Sequence, residues 1–94
     1  MGNVIWDDEK ARLNLEKHGV SFPEASVVFD DPLADVRLDR EHSDEEERLK
    51  IIGFSSQSRL LLVVYTERGE DQRLISARRA TTHERKQYEY NANL

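Results

Sequence analysis

The sequence of 94 residues predicts an α+β fold: two N-terminal helices, a four-stranded antiparallel sheet and a C-terminal helix. Three observations predict it. Helix-capping patterns open three separate segments. The apolar period changes to two from Leu33 onward. Helical and strand signals come in separate runs, which indicates α+β and not the alternating units of a parallel sheet. The length fits one domain over residues 1–94.

Val4-Ile5-Trp6 is a short extended start. Asp7-Asp8-Glu9 suits a helix N-terminus, where unpaired N–H groups and the helix dipole favour anions. A helix over residues 8–18 follows, and Gly19 ends it as the left-handed residue after the last turn. Ser21-Phe22-Pro23-Glu24 has the spacing of a capping box with Pro in the first turn, so a second helix of about two turns starts there. Phe22, Ala25, Val28 and Phe29 form its apolar face, and Asp31-Pro32 stops it.

Leu33 to Asp39 alternates weakly and reads as the first strand of the sheet. Arg40 to Glu46 is a charged loop without an apolar residue. Arg48 to Phe54 is the next strand, and Arg59 to Thr66 is the most apolar one, suited to the centre of the sheet. Arg68-Gly69-Glu70-Asp71 makes a hairpin turn into the last strand, Gln72 to Arg79. Thr81-Thr82-His83-Glu84 is a further capping box, which starts a helix over residues 82–91.

Composition excludes several kinds of chemistry. With no cysteine, there are no disulfides, thiolate metal sites or cysteine nucleophiles. The longest apolar run, Leu60 to Tyr65, is far short of the roughly 20 residues that span a bilayer. No secretory signal opens the chain, so the expected location is the cytoplasm. His18, His42 and His83 are scattered, and Asp44-Glu45-Glu46-Glu47 lacks the glycine and ligand spacing of a calcium loop, so no metal site is expected. There is no Gly-x-Ser-x-Gly elbow and no glycine-rich phosphate loop, so no nucleotide cofactor is expected.

Charge is distributed unevenly. The net charge is −5, yet residues 1–58 hold 7 Lys/Arg against 14 Asp/Glu, while residues 59–94 hold 7 against 5. Between Arg73 and Lys86 stand five cations and one anion, Glu84. Such a molecule can bind a polyanion on its basic side and a basic protein on its acidic side. Arg73, Arg78 and Arg79 fall on the last predicted strand, Arg68 in the turn before it, and Arg48 at the start of an earlier strand. Guanidinium matches phosphate in a two-pronged geometry and stays charged at any working pH. These arginines therefore hold a phosphate or neutralise the chain's own carboxylates, and both readings stand at this point. In an ideal strand Arg73 and Arg79 point one way and Arg78 the other, so Arg73 and Arg78 serve one site only if a bulge re-aims one of them. His18 closes the first helix and shares a face with Asn14, where it suits proton transfer or simply caps the helix. Glu84 is accounted for by its capping box. Tyr88 and Tyr90 suit stacking on a base or packing on the sheet.

Together these residues resemble the BrnT family. Trp6-Asp7, Lys10, Asn14, Lys17-His18-Gly19, Phe22, Ala25 and Phe29 look like the front half of that family. Glu47-Arg48, Gly53, Leu61 to Val64, Thr66, Arg68, the run Arg73 to Ala80, Glu84, Arg85 and Tyr88 look like its back half. The sequence departs from the family pattern at Val4, where an aromatic is common, and His83 falls at a variable polar position. The resemblance implies a RelE-like fold and a ribonuclease toxin of a type II toxin–antitoxin system. It implies a BrnA-type antitoxin with a ribbon-helix-helix-type DNA-binding element, in a hetero-oligomer that represses its own operon and meets DNA only through the antitoxin. On that basis the expected chemistry is metal-independent cleavage of RNA by its own 2′-OH, halting translation and growth. The candidate catalytic residues are His18 or Glu47 for proton transfer and Arg68, Arg73 and Arg78 for the phosphate. Arg48, Arg79, Arg85 and Lys86 are candidate RNA contacts. The alternative reading is a binding module without turnover, which docks an antitoxin or nucleic acid through the arginine patch.

Overall fold

In the computed structural model, residues 2–42 and 46–93 are described. The expected loop over residues 40–46 and the acidic run from Asp44 therefore fall partly outside the described residues. The elements are β1 (Val4–Ile5), α1 (Asp8–His18), α2 (Phe22–Ala25) with a 3₁₀ turn over Ser26–Asp30, β2 (Asp35–Leu38), β3 (Leu49–Phe54), β4 (Leu60–Arg68), β5 (Asp71–Arg79) and α3 (Thr82–Asn91). No helix among the described residues is long and apolar enough to cross a membrane.

The helix ends follow their capping chemistry. Asp7 accepts a hydrogen bond from the Lys10 N–H at 3.2 Å, and Gly19, at φ 68°, donates its N–H to the Leu15 carbonyl. Thr81 and Glu84 form the full reciprocal box of α3. The second helix departs from expectation: it keeps α geometry for only four residues and then tightens into the 3₁₀ turn. The Ser26 hydroxyl bonds back to the Pro23 carbonyl at 2.7 Å, and two β-branched residues, Val27 and Val28, follow; both features weaken an α-helix.

Glu24 also departs from expectation. Ser21 caps the Glu24 N–H at 3.2 Å, but the Glu24 side chain does not return to the cap. It is buried and accepts from Arg59 Nε at 2.9 Å and from the Ser55 hydroxyl at 2.6 Å, while Arg59 Nη2 bonds both Glu24 and the Gly19 carbonyl. The Arg59 guanidinium holds the Glu24 carboxyl below its ordinary range, outweighing burial, with help from Ser55. This cluster ties the β3–β4 turn to the junction of α1 and α2.

The sheet is five-stranded and mixed, in the order β1-β5-β4-β3-β2, and not four-stranded and antiparallel as expected. Four strands do pair antiparallel in sequence. The fifth, β1, pairs parallel to β5 through Val4↔Gln72 and Ile5↔Arg73. Two residues carry no readable period, so the pairing depends on distant contacts. The Asn3 N–H donates to Asp71 at 2.8 Å and the Gln72 N–H to the Asn3 carbonyl at 2.9 Å. Gly2 lies so close to the hairpin that a Cβ there would fall 1.6 Å from the Glu70 carbonyl oxygen.

One face of the sheet carries the main core. Val20, Phe22, Ala25 and Val28 pack on Ile51, Leu61, Val63, Tyr65, Leu74 and Ala77. Phe29 meets Tyr65 edge-on at 4.9 Å. At the other face α3 covers one end only, where Tyr88 is buried with Ile52, Leu60 and Leu62 and meets Phe54 edge-on. The Tyr88 hydroxyl donates to Asp31 at 2.8 Å, and the same carboxylate accepts the Phe54 and Leu33 N–H groups. Burial, with this bond to a carboxylate, pushes the Tyr88 phenol up to about 12. Burial also raises the Asp31 carboxyl, but its three hydrogen bonds win and hold it below the usual range.

β1 pairs with β5 only near its start, so an edge of β5 stays open further along. Asn14 on α1 fills that gap. Its side chain, 6% exposed, donates to the Ala77 carbonyl at 2.8 Å and to the Val20 carbonyl at 3.0 Å, and it accepts the Ala77 N–H at 3.0 Å. The residue thus replaces a neighbouring strand. Replacing Asn14 with Leu strands buried backbone groups, each costing about 1–3 kcal/mol. We expect a loss of about 3 kcal/mol or more in urea denaturation of Asn14→Leu; a change below about 0.5 kcal/mol would contradict this role. The lowered carboxyls of Glu24 and Asp31 bind fewer protons folded than unfolded. The stability they supply is complete above about pH 5 and drains as pH falls through their lowered values. A Glu24→Gln variant should therefore show a shallower fall of stability below about pH 5, measured by denaturation across pH.

Candidate active site

The sheet face that α3 leaves uncovered holds a row of cations. Register decides which ones. Leu62, Val64 and Thr66 alternate along β4 on this face, and their β5 partners are Arg78, Ser76 and Arg73. The pairing shifts by one residue between Val64 and Tyr65, which leaves Ile75 as an unpaired bulge residue. Without it, Arg73 and Arg78 would face opposite sides. With it, both belong to the open face. Lys50 joins them from β3, opposite Val64, and Arg48 immediately precedes β3.

A cleft of about 370 Å³ lies here. Arg48, Lys50 and Arg78 line it as cations, with Ser76 between them and His42 at its border, and Asp39, Glu41 and Glu84 bring carboxylates. Arg78 is fixed end-on by Glu84, through Nη1 and Nη2 at 2.8 Å each, and Nη1 also donates to the Arg79 carbonyl at 3.1 Å. Glu84 in turn accepts the Thr81 N–H at 2.9 Å. The Arg78 guanidinium holds the Glu84 carboxyl below its ordinary range, outweighing burial, and Glu84 raises the pKa of Arg78. A guanidinium has five N–H donors. Three are used, and the side-on pair, Nε–H and the second Nη2–H, has no acceptor among the described residues.

The sequence-derived candidates separate on this geometry. Arg48 and Arg78 line the cleft together, and Arg73 shares their face. Arg73 stands four β4 residues from the Arg78 level, about 13 Å at about 3.3 Å per residue. Arg68 ends β4, is half-exposed and pairs with Glu46 at 3.0 Å. Arg79 lies opposite Leu61 on the helix-packed face, where its charge helps lower Glu24. Arg85 and Lys86 are exposed on α3 and do not line the cleft. Glu47 is exposed just before β3 and does not line it. His18 lines another groove, of about 210 Å³, with Lys10 and Lys17, on the α1 side of β5. Among the described residues, Ile75 and Ser76, at the bulge, line both. The polar atoms of Asn14, on the same helix as His18, are engaged by Ala77 of β5 and by the Val20 carbonyl. Tyr88 is packed and Tyr90 is 85% exposed.

The sequence reading missed Lys50, Ser76 and the pair Asp39 and His42. The Asp39-x-x-His42 spacing at the end of a strand was the one signal for that pair.

Comparison with known proteins agrees with the architecture and the residue pattern. The family model described as "Ribonuclease toxin, BrnT, of type II toxin-antitoxin system" matches residues 6–84. The crystal structure of the Brucella abortus ribonuclease toxin BrnT superposes with a TM-score of 0.67 at 30% sequence identity, covering 87% of this chain and 100% of that one. No curated protein sequence matches. The chain belongs to the BrnT family of ribonuclease toxins of type II toxin–antitoxin systems.

Proposed function

We propose that the chain is an endoribonuclease that seats the RNA backbone in the open-face cleft and promotes attack of a ribose 2′-OH on the adjacent phosphorus, with no metal ion in the step. The observation that carries this reading is the side-on fork of Arg78, which meets no acceptor among the described residues. Glu84 holds the guanidinium in place through its other edge, so the fork is preorganised and a phosphate need not displace the carboxylate. Lys50 and Arg48 add charge around the same volume. Together they stabilise the extra negative charge of a pentacoordinate transition state. RNA supplies its own nucleophile, so the protein has to align it, hold the phosphate and move protons. The products are a 2′,3′-cyclic phosphate and a free 5′-OH.

Arg73, about 13 Å along the face, suits a neighbouring phosphate and not the scissile one. Arg68, Arg85 and Lys86 are exposed beyond the cleft and suit longer-range attraction of RNA. The antitoxin that a type II toxin requires is, in this reading, of the BrnA type with a ribbon-helix-helix DNA-binding element. The complex represses its operon in the cytoplasm, and the freed toxin halts translation by cutting RNA.

Purified chain should cut an RNA oligonucleotide in the presence of EDTA and leave its fully 2′-O-methylated counterpart intact. Arg78→Ala, with its circular dichroism unchanged, should lose about 10²–10³-fold in kcat, and Arg78→Lys should recover little because an ammonium lacks the fork. Wild-type rates from a folded Arg78→Ala protein would contradict the reading.

A further inference from the structure

Besides its arginines, the cleft contains a histidine–carboxylate pair suited to proton transfer. Asp39 follows β2, and its N–H extends the β2–β3 ladder by donating to the Arg48 carbonyl at 2.8 Å. Its side chain is buried, at 5% residue exposure, and both carboxylate oxygens lie 3.1 Å from His42 Nδ1. His42 itself is 62% exposed at the side chain and lines the cleft. A carboxylate only accepts hydrogen bonds, so Nδ1 carries the proton and Nε2 of the neutral ring is the basic nitrogen. Among the described residues, the charged groups that line the cleft with this ring are Asp39, Glu41 and Glu84 on one side of the balance, and Arg48, Lys50 and Arg78 on the other. Glu84 is poorly placed to take a proton, since Arg78 and the Thr81 N–H already engage both of its oxygens.

We infer that His42 is the general base of the cleavage reaction and that Asp39 is its positioning residue; the assignment rests on the ribonuclease reading above. His42 Nε2 takes the proton of the 2′-OH as that oxygen bonds to phosphorus. The bond from phosphorus to the 5′-oxygen breaks, and the departing oxygen takes a proton from water. The imidazolium then returns its proton to solvent. Asp39 keeps the ring in one tautomer and faces the positive charge that forms on it, as a buried carboxylate does for a catalytic imidazole in unrelated folds.

The test uses the full chain and an RNA oligonucleotide, with kcat and KM measured across pH. Wild-type kcat should fall on acidification within about pH 5–8, the window in which imidazole ordinarily changes charge. His42→Gln should lower kcat about 10²–10⁴-fold and abolish that limb, with little change in KM. Asp39→Asn should lose less and keep the limb. A folded His42→Gln protein with wild-type kcat and an intact acidic limb would overturn the assignment, as would a rise in KM alone, which would make His42 a binding contact. If Arg78→Ala fails while His42→Gln does not, this assignment falls and the arginine reading stands. A wild-type chain that cuts no RNA would overturn both.

Discussion

A strand repeats every two residues, and a single unpaired residue resets that count. In this chain the residue is Ile75. It lets Leu74 and Ala77, three apart, both enter the helix-packed core, and it brings Arg73 and Arg78, five apart, onto the opposite open face. The core and the cation row thus depend on the same irregularity. The bulge lies where β5 has lost its β1 neighbour, and Asn14 secures the adjacent Ala77 from α1. The side chain that stabilises the fold there therefore also maintains the strand from which Arg78 projects.

The open face is not simply basic. Among the described residues, three carboxylates stand against three Lys/Arg side chains around the cleft. What distinguishes Arg78 is the division of its donors: one edge anchored to Glu84, the other unengaged among the described residues. Glu84 belongs to the capping box of α3, and Tyr88, one turn later, anchors the same helix to Asp31 and Phe54. Helix capping, sheet packing and the orientation of the Arg78 guanidinium are thereby linked through a single short helix.

The parts of this design that rest on neighbours in sequence were legible. Asp7, Gly19, Thr81 and Gly69 marked their helix and hairpin ends because each acts within a few residues of itself. The parts that rest on distant pairing were not. Nothing in Val4-Ile5 reveals a parallel partner 68 residues on. Ser21-x-x-Glu24 has the spacing of a complete cap, but Arg59, 35 residues away, competes for the carboxylate and wins. By type the arginines suited either a phosphate or the chain's own carboxylates, and their faces could not be read at all: residues 73–79 alternate plausibly in either phase until the bulge is known. Asp39 ended a predicted strand and His42 lay in the charged loop after it, so nothing in the pattern joined the two.

In the proposed reaction Arg78 and Arg73 meet RNA from one face. Titration of the chain with a fully 2′-O-methylated RNA oligonucleotide, followed by arginine Nε–H resonances, tests it most directly. Arg78 and Arg73 should shift together at the same RNA concentration, while Arg12, held between Glu9 and Glu16 on α1, should stay still. An unmoved Arg78 resonance at saturating RNA, with the shifts confined to Arg12 or Arg85, would contradict it.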